Sequence, residues 1–487
     1  MVQRIVGTET EFGCLVRDPS LGSPEDVVIK IKETAFKNGR WGLLDQHTRD
    51  MYFEPAESGG FLVNGARLYI DAVGSHLEFA TPECRSIRDL ISYDKAGQRL
   101  IQNIVDELGW TDKVSFHNNS VDHFGGHTFG CHENYSVNPE VWSLRRSVPL
   151  LIPFLVTRQI FAGAGRVGGH RLTSNPDRAM KQMGRNTADY VFIDRIYGVE
   201  PDPTIQFQLS QRADHILYVL SGRVRFSRAL INPKWDQSHE LSRSPRLHIL
   251  FGEANPSEYT NFLKIGTTAL VLDLIETDAI SNNLELGDRA IDILREVSRD
   301  EQWHWPVRLN DGKKTTAIEI QRMYLDAAKK TFAHRDEETD HVLRAWAEVL
   351  DLLAKDPMSL ADRLDWVAKY RTFSIFAQSE KLSWHDEALQ SLDLEYHNIN
   401  PREGLFYSLE EMQRVTDEKS IEHAITHPPQ DTRAKGRARI IQGLREKRID
   451  DYVVEWDGVY VEPKQVLVFE DPFHTYEAES EKFLKKL

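Results

Sequence analysis

Cysteine is scarce: the chain has three in 487 residues, Cys14, Cys84 and Cys131. They are too few and too scattered for a disulfide framework, and such usage suits a reducing compartment. Long apolar runs are missing as well. The greasiest stretch, Val148 to Val156, is broken by Pro149 and Pro153 and falls short of the ~20 residues of a membrane span, so no membrane partner is expected. The opening MVQRIVGTETEFG interrupts any signal-peptide core with charge, which predicts a cytoplasmic protein. Positive charge is in deficit: 60 basic against 75 acidic side chains give a net charge of −15, which argues against gripping a nucleic-acid backbone. There is no GxxxxGK[ST] phosphate loop, no CxxC pair and no nucleophile elbow. Internal repeats and low-complexity tracts are also absent.

What is present describes an ordered globular protein. Ten Trp, twenty-two Phe and 40% hydrophobic residues supply a sizeable core. The length exceeds what one core fills, which predicts a large domain with a smaller one. Apolar positions recurring every three or four residues predict helices over Ile87 to Leu108, Glu258 to Glu276, Thr315 to Ala333, Glu338 to Leu353 and Leu360 to Phe376. Strands and helices come in blocks, so the expected class is α+β on a mostly antiparallel sheet. Past residue 410 the pattern turns to helix then strand, with a break at Pro428 and Pro429. The expected division is therefore a catalytic domain over 1–410 and a small C-terminal domain over 411–487.

Side chains alternate across a strand, so polar residues at every second position mark a face turned from the core. Glu9 and Glu11 share such a face in Arg4 to Gly13, as do Arg67, Tyr69 and Asp71, and again His76 and Glu78. Gln206, Gln208, Ser210, Arg212 and Asp214 oppose Phe207 and Leu209, and Arg246 and His248 oppose Leu247 and Ile249. A merely solvated face tends toward Lys, Thr and Ser. These carry Glu, Asp, His, Tyr and Arg, an inventory suited to ligating hard cations and clamping an anion. Mg²⁺ with ATP fits it, because Mg²⁺ is usually shared between carboxylates and phosphate oxygens. Asp71, flanked on its face by Tyr69 and Arg67, is the candidate catalytic carboxylate, able to take a proton from an amine or water, or to attack an acyl carbon.

Two motifs read as decoys. Gly163 to Gly168 matches GxGxxG, but it follows a helical segment and leads into a polar insert, so a turn is expected rather than a dinucleotide site. His117, His123, His127 and His132 with Cys131 suggest zinc; the glycines between His123 and His127 spoil the ligand spacing, and His132 reads as a polar-face residue beside Glu133 and Asn134.

At these segments the chain resembles the enzymes that attach and remove Pup, the prokaryotic ubiquitin-like protein. The strings are GTETEFG (7–13), NGARLYIDAVGSHLEFATPEC (64–84), GCHENY (130–135), PFLVTRQ (153–159), QLSQRADHI (208–216), RLHILFGEAN (246–255), LKIGTTALVLDLIE (263–276), HPPQDTRA (427–434) and EDPF (470–473). The resemblance implies a glutamine-synthetase-like fold, a curved antiparallel sheet holding ATP and Mg²⁺, with Pup or a related tag and lysine-bearing tagged proteins as partners. Carried over by motif, Glu9, Tyr69 and Glu78 are metal-site residues, Arg67, Thr81 and Trp456 contact nucleotide, and Asp71 is catalytic. Glu11 and His132 as metal ligands, and Arg212 and Arg433 as nucleotide contacts, rest on residue type and position alone.

The two branches of the family run opposite reactions. One joins the tag's C-terminal glutamate to lysine through a glutamyl phosphate; the other hydrolyses that isopeptide bond or deamidates a C-terminal glutamine. The segment 41–60, placed where the deamidase branch carries a loop, and the strings GTTALVLDLIE, KDPM and LSW lean toward the hydrolase; HPPQDTRA and EDPF lean toward the ligase. The expectation is a depupylase/deamidase, with the Pup–protein ligase as the alternative. More remote are a small-molecule carboxylate–amine ligase and an inactive binding scaffold; the joint presence of Glu9, Tyr69, Asp71 and Glu78 speaks against the scaffold, since clustered polar groups are costly to desolvate. Residues 169–205 and the segment Asn232 to Asp236 depart from both branches and leave the identity of the tag open.

Overall fold

The computed structural model describes residues 4–47, 56–71, 76–123, 126–172, 199–222, 228–233, 245–280 and 284–487. Parts of the three segments singled out above, 48–55, 173–198 and 234–236, lie outside the described residues.

Ten strands build the main sheet: β1 (Val6–Val16), β2 (Gly42–Leu44), β3 (Gly59–Leu62), β4 (Arg67–Ile70), β5 (Leu77–Ala80), β6 (Val114–His117), β7 (Cys131–Ser136), β8 (Tyr218–Leu220), β9 (Ala229–Asn232) and β10 (Arg246–Ile249). Their order is β8-β9-β10-β7-β1-β5-β4-β3-β2, with β6 paired to the second half of β1. All neighbours run antiparallel except β8 and β9. With helices gathered against it, the molecule is α+β, as the blocked pattern of the sequence predicts.

Alternation decides which face of β1 is covered. Val6, Thr8, Thr10 and Phe12 are buried, while Glu9 and Glu11 between them are only partly so. Helix Ile87–Glu107 belongs to the core on the covered side, its first turn capped by the Ser86 hydroxyl, which accepts from the Asp89 N–H. Gly97 permits close contact: a Cβ there would come within 2.4 Å of the Phe79 ring. Helix Glu258–Glu276 begins and ends where the periodicity places it and is buried on nearly all sides, the mark of a helix packed among others rather than at a surface.

A second apolar cluster joins Phe61 and Val63 of the sheet to Ile440, Leu444, Val454, Val459 and Phe469. It is built from helix Ala434–Lys447, a three-stranded antiparallel sheet (Tyr452–Glu455, Gly458–Val461, Gln465–Val468) and helix Glu477–Leu484. This unit sits at the β2 edge, where the Tyr452 hydroxyl donates to Leu44 O at 2.7 Å. Helix Glu418–Thr426 instead packs on helix Ile87–Glu107 in the large core.

Two sequence expectations are corrected. Gln206 to Asp214 is not one alternating strand: pairing is confined to Phe207–Gln208, and a 3-10 turn covers Ala213–His215. The Ser210 hydroxyl bends the chain by accepting from the N–H groups of Arg212 and Ala213, the serine turn that competes with a ladder. Glu133 does not lie beside His132. It points to the opposite, fully buried face and is paired with Arg158, whose NH1 donates to Oε2 at 2.9 Å.

Candidate active site

Residues directly opposed in a ladder share a face. Glu9 opposes His132 on one side and Ala80 on the other, and Ala80 opposes Arg67. One step along, Glu11 opposes Glu78, and Glu78 opposes Tyr69. Asn134 opposes His248. Four distant stretches of chain therefore deliver their polar side chains to one face, centred on β1.

Two groups of donors form there. In the first, Glu9, His132 and His248 each offer an atom within 4.8 Å of the others, and the His132 and His248 rings stand 4.9 Å apart. Asn134 Nδ2 donates to Glu9 at 3.0 Å and Arg246 NH1 at 2.9 Å. Burial alone would raise the Glu9 carboxyl; His248, His132 and Arg246 outweigh it and hold the group well below the usual carboxylate range. In the second group, Glu11, Asp71 and Glu78 lie within the same 4.8 Å limit. His76 Nδ1 is 2.7 Å from Glu11 Oε2, and despite burial this neighbour lowers the Glu11 carboxyl. Glu78 goes the other way: burial, then Asp71 and Glu11, push it well above its ordinary value. Tyr69, buried beside Glu78 and Glu9, is likewise raised.

Asp71 sits just beyond β4, its backbone N–H bonded to His76 O at 2.8 Å. Arg67 is buried, its guanidinium 4.3 Å from the Tyr69 ring centre and 3.4 Å from Asp45. Arg212 approaches from the loop after Phe207–Gln208. It is buried, NH1 donates to Leu250 O at 3.2 Å, Nε has no hydrogen-bond partner, and Glu11 is the first acidic group to act on it. Thr81 is turned to the backbone, where its hydroxyl accepts from the Thr8 N–H at 3.0 Å. Trp456 and Arg433 belong to the C-terminal unit: the Trp456 ring meets Phe61 edge-on at 4.9 Å, and Arg433 Nε donates to Glu83 at 2.7 Å.

The structure thus gathers Glu9, Glu11, Arg67, Tyr69, Asp71, Glu78 and His132 on one face, with the charge of Glu11 acting on the buried Arg212, while Trp456 and Arg433 stand at the join with the C-terminal unit. Sequence alone assigns no site role to His248, Arg246 or Asn134. Their signal was present: Arg246 and His248 alternate with Leu247 and Ile249, and Asn134 lies two residues from His132. None of the described helices is long and apolar enough to cross a membrane.

The sequence profile described as Pup-ligase protein matches residues 4–460. The chain is 33% identical to the Pup–protein ligase of Acidimicrobium ferrooxidans over all of its own length and 99% of the relative's. It is 34% identical to the depupylase of Acidothermus cellulolyticus over 94% of its own length and 91% of the relative's. Among solved structures it is similar to the Pup ligase PafA in complex with Pup, at 30% identity and a TM-score of 0.80, covering 100% of this chain and 91% of that one. It is also similar to PafA in complex with ADP, at 32% identity and a TM-score of 0.74, covering 88% and 89%. The chain belongs to the Pup-ligase protein family and has its glutamine-synthetase-like fold.

Proposed function

We propose that the protein is a Pup–protein ligase, joining the side-chain carboxylate of a tag's C-terminal glutamate to a lysine amine at the expense of ATP. The observation that carries the chemistry is the meeting of Glu11, Asp71 and Glu78 within 4.8 Å on the sheet face. Three carboxylates held together repel one another, and a bound cation relieves that repulsion. The oxygens of Glu11 and Glu78 fit Mg²⁺, with Asp71 beside them to take the proton; Glu9 with His132 and His248 is a mixed donor set for a second divalent ion, with Tyr69 beside Glu9 and Glu78. Bound there, Mg²⁺ supplies charge neutralisation to phosphate oxygens.

This chain's own residues do the rest. Arg67, Thr81, Arg433 and Trp456 hold the nucleotide. The tag's carboxylate attacks the terminal phosphorus of ATP and ADP leaves; Arg212 faces the oxygens on which charge gathers. The lysine amine then attacks the acyl carbon, phosphate departs with the former carboxylate oxygen, and Asp71 accepts the amine's proton. The division into a catalytic domain over 1–410 and a C-terminal domain over 411–487 is kept with one adjustment: helix Glu418–Thr426 packs in the large core, so the C-terminal unit that completes the nucleotide side begins at helix Ala434–Lys447. Support for the joining direction comes from relatives: the one matched over 99% of its length is a Pup–protein ligase, and the PafA complexes contain Pup and ADP.

The hydrolase expected from segment 41–60 is the second reading, favoured by 34% identity to a depupylase. Purified protein with Mg²⁺ and ATP is offered two substrates, a tag ending in glutamate with a lysine-bearing protein, and a preformed conjugate. New conjugate supports the ligase. Released tag without any new conjugate overturns it in favour of the hydrolase.

A further inference from the structure

Arg437 is fully buried where the C-terminal unit meets the sheet, and its guanidinium makes more contacts than packing alone requires. Nε and NH2 donate to Gly65 O at 3.2 and 2.8 Å; NH1 donates to Trp456 O at 2.8 Å and to Glu83 Oε1 at 3.1 Å, while NH2 also reaches Glu83 Oε2. The guanidinium carbon lies 4.8 Å from the Trp456 ring centre and 5.1 Å from that of Phe61. Each of its nitrogens is engaged, so it has no donor left for a ligand.

The groups it joins are informative. Gly65 is in the turn between β3 and β4, two residues ahead of Arg67, at φ +82°; a Cβ there would lie 3.0 Å from Ala434 O, so helix Ala434–Lys447 comes this close only to glycine. Trp456 is the turn between the first two strands of the small sheet. Glu83 follows Thr81 by two residues, and Arg433 and Arg437 together hold its carboxyl, despite burial, down to about 2. One side chain therefore spans the three stretches proposed to surround the nucleotide.

We propose that Arg437 is a positioning residue for nucleotide binding: it fixes the backbone and ring of Trp456 relative to the β3–β4 turn and to Glu83. The inference rests on the proposed contact between Trp456 and nucleotide. Lysine cannot replace it, because a planar fork is needed to reach two carbonyls and a carboxylate while lying against two rings.

The test compares Arg437→Lys, Trp456→Ala and the double variant by calorimetric titration with Mg·ADP, by kcat and KM for ATP, and by circular dichroism. If Arg437 acts through Trp456, each single variant weakens ADP binding about tenfold and raises KM for ATP in step, with kcat at saturating ATP within about twofold of the parent. The double variant then binds no more weakly than Trp456→Ala alone. If Trp456→Ala weakens binding and Arg437→Lys does not, or if the two effects multiply to about a hundredfold, the positioning role is overturned while the Trp456 contact stands. If Trp456→Ala binds ADP like the parent, both are overturned. Should Arg437→Lys fail to fold, Glu83→Gln takes its place in the same cycle with the same outcomes.

Discussion

Asp71 stands half-exposed at the end of β4, within 4.8 Å of Glu11 and Glu78. A group that only accepts a proton can be removed without disturbing the nucleotide wall. Asp71→Asn is expected to lower turnover by about 10³-fold, and the dissociation constant for Mg·ADP should stay within about threefold of the parent, as calorimetry would report. Near-parental turnover would contradict the role given to it. Glu83 gives a stability prediction with a definite sign. Its folded value of about 2 lies below the unfolded value of ~4.3. The stabilisation is therefore fully present above the unfolded value and is lost as pH falls through the folded one. Glu83→Gln should cost on the order of 3 kcal/mol near pH 7. The gap in denaturation midpoint between parent and variant should close as pH drops from ~4 toward about 2; a gap independent of pH would contradict the ion-pair account. At this scale the sequence reveals residue type and face: period-two alternation sends Glu9, Glu11, Tyr69 and Glu78 outward together. It says little about a residue such as Arg437, because a buried arginine and a solvated one look the same in a basic helix.

Gly130, just ahead of β7, ties two metal-type groups together. A Cβ there would lie 2.5 Å from Glu11 Oε1 and 2.8 Å from His132 Nε2. Gly130→Ala is expected to keep the melting temperature within about 4 °C of the parent, since the collision is with side-chain ends. The same change should raise the Mg²⁺ concentration for half-maximal activity by about tenfold. A variant with unaltered Mg²⁺ dependence would remove Glu11 and His132 from the metal site. Helices were the most legible elements, because a long 3.6-residue pattern is hard to mistake: Glu258–Glu276 matches at both ends. The loop after Phe207 was misread because its polar residues happen to alternate. Short-range bonds from Ser210 override the ladder there, and long-range contacts such as Arg212 N to Glu253 at 3.2 Å and Gln211 to Gly165 O at 3.1 Å hold the loop that carries Arg212.

For the whole molecule, the sheet order decides function, and order is the property least visible in one sequence. β1 lies between β5 and β7 although 51 residues of chain, strand β6 and helix Ile87–Glu107 among them, separate Ala80 from His132. That arrangement brings Glu9 between His132 and Arg67, and the C-terminal unit covers the β2 edge. Family resemblance supplied what periodicity could not: a Pup-like tag as the expected partner and Trp456 as an expected nucleotide contact. The direction of reaction follows from which oxygen ends in phosphate. With the tag's C-terminal glutamate labelled with ¹⁸O in its side-chain carboxylate, a route through glutamyl phosphate transfers one labelled oxygen to inorganic phosphate for every conjugate formed. The account predicts ¹⁸O-phosphate appearing in step with conjugate and ADP; conjugate accompanied only by unlabelled phosphate would contradict it.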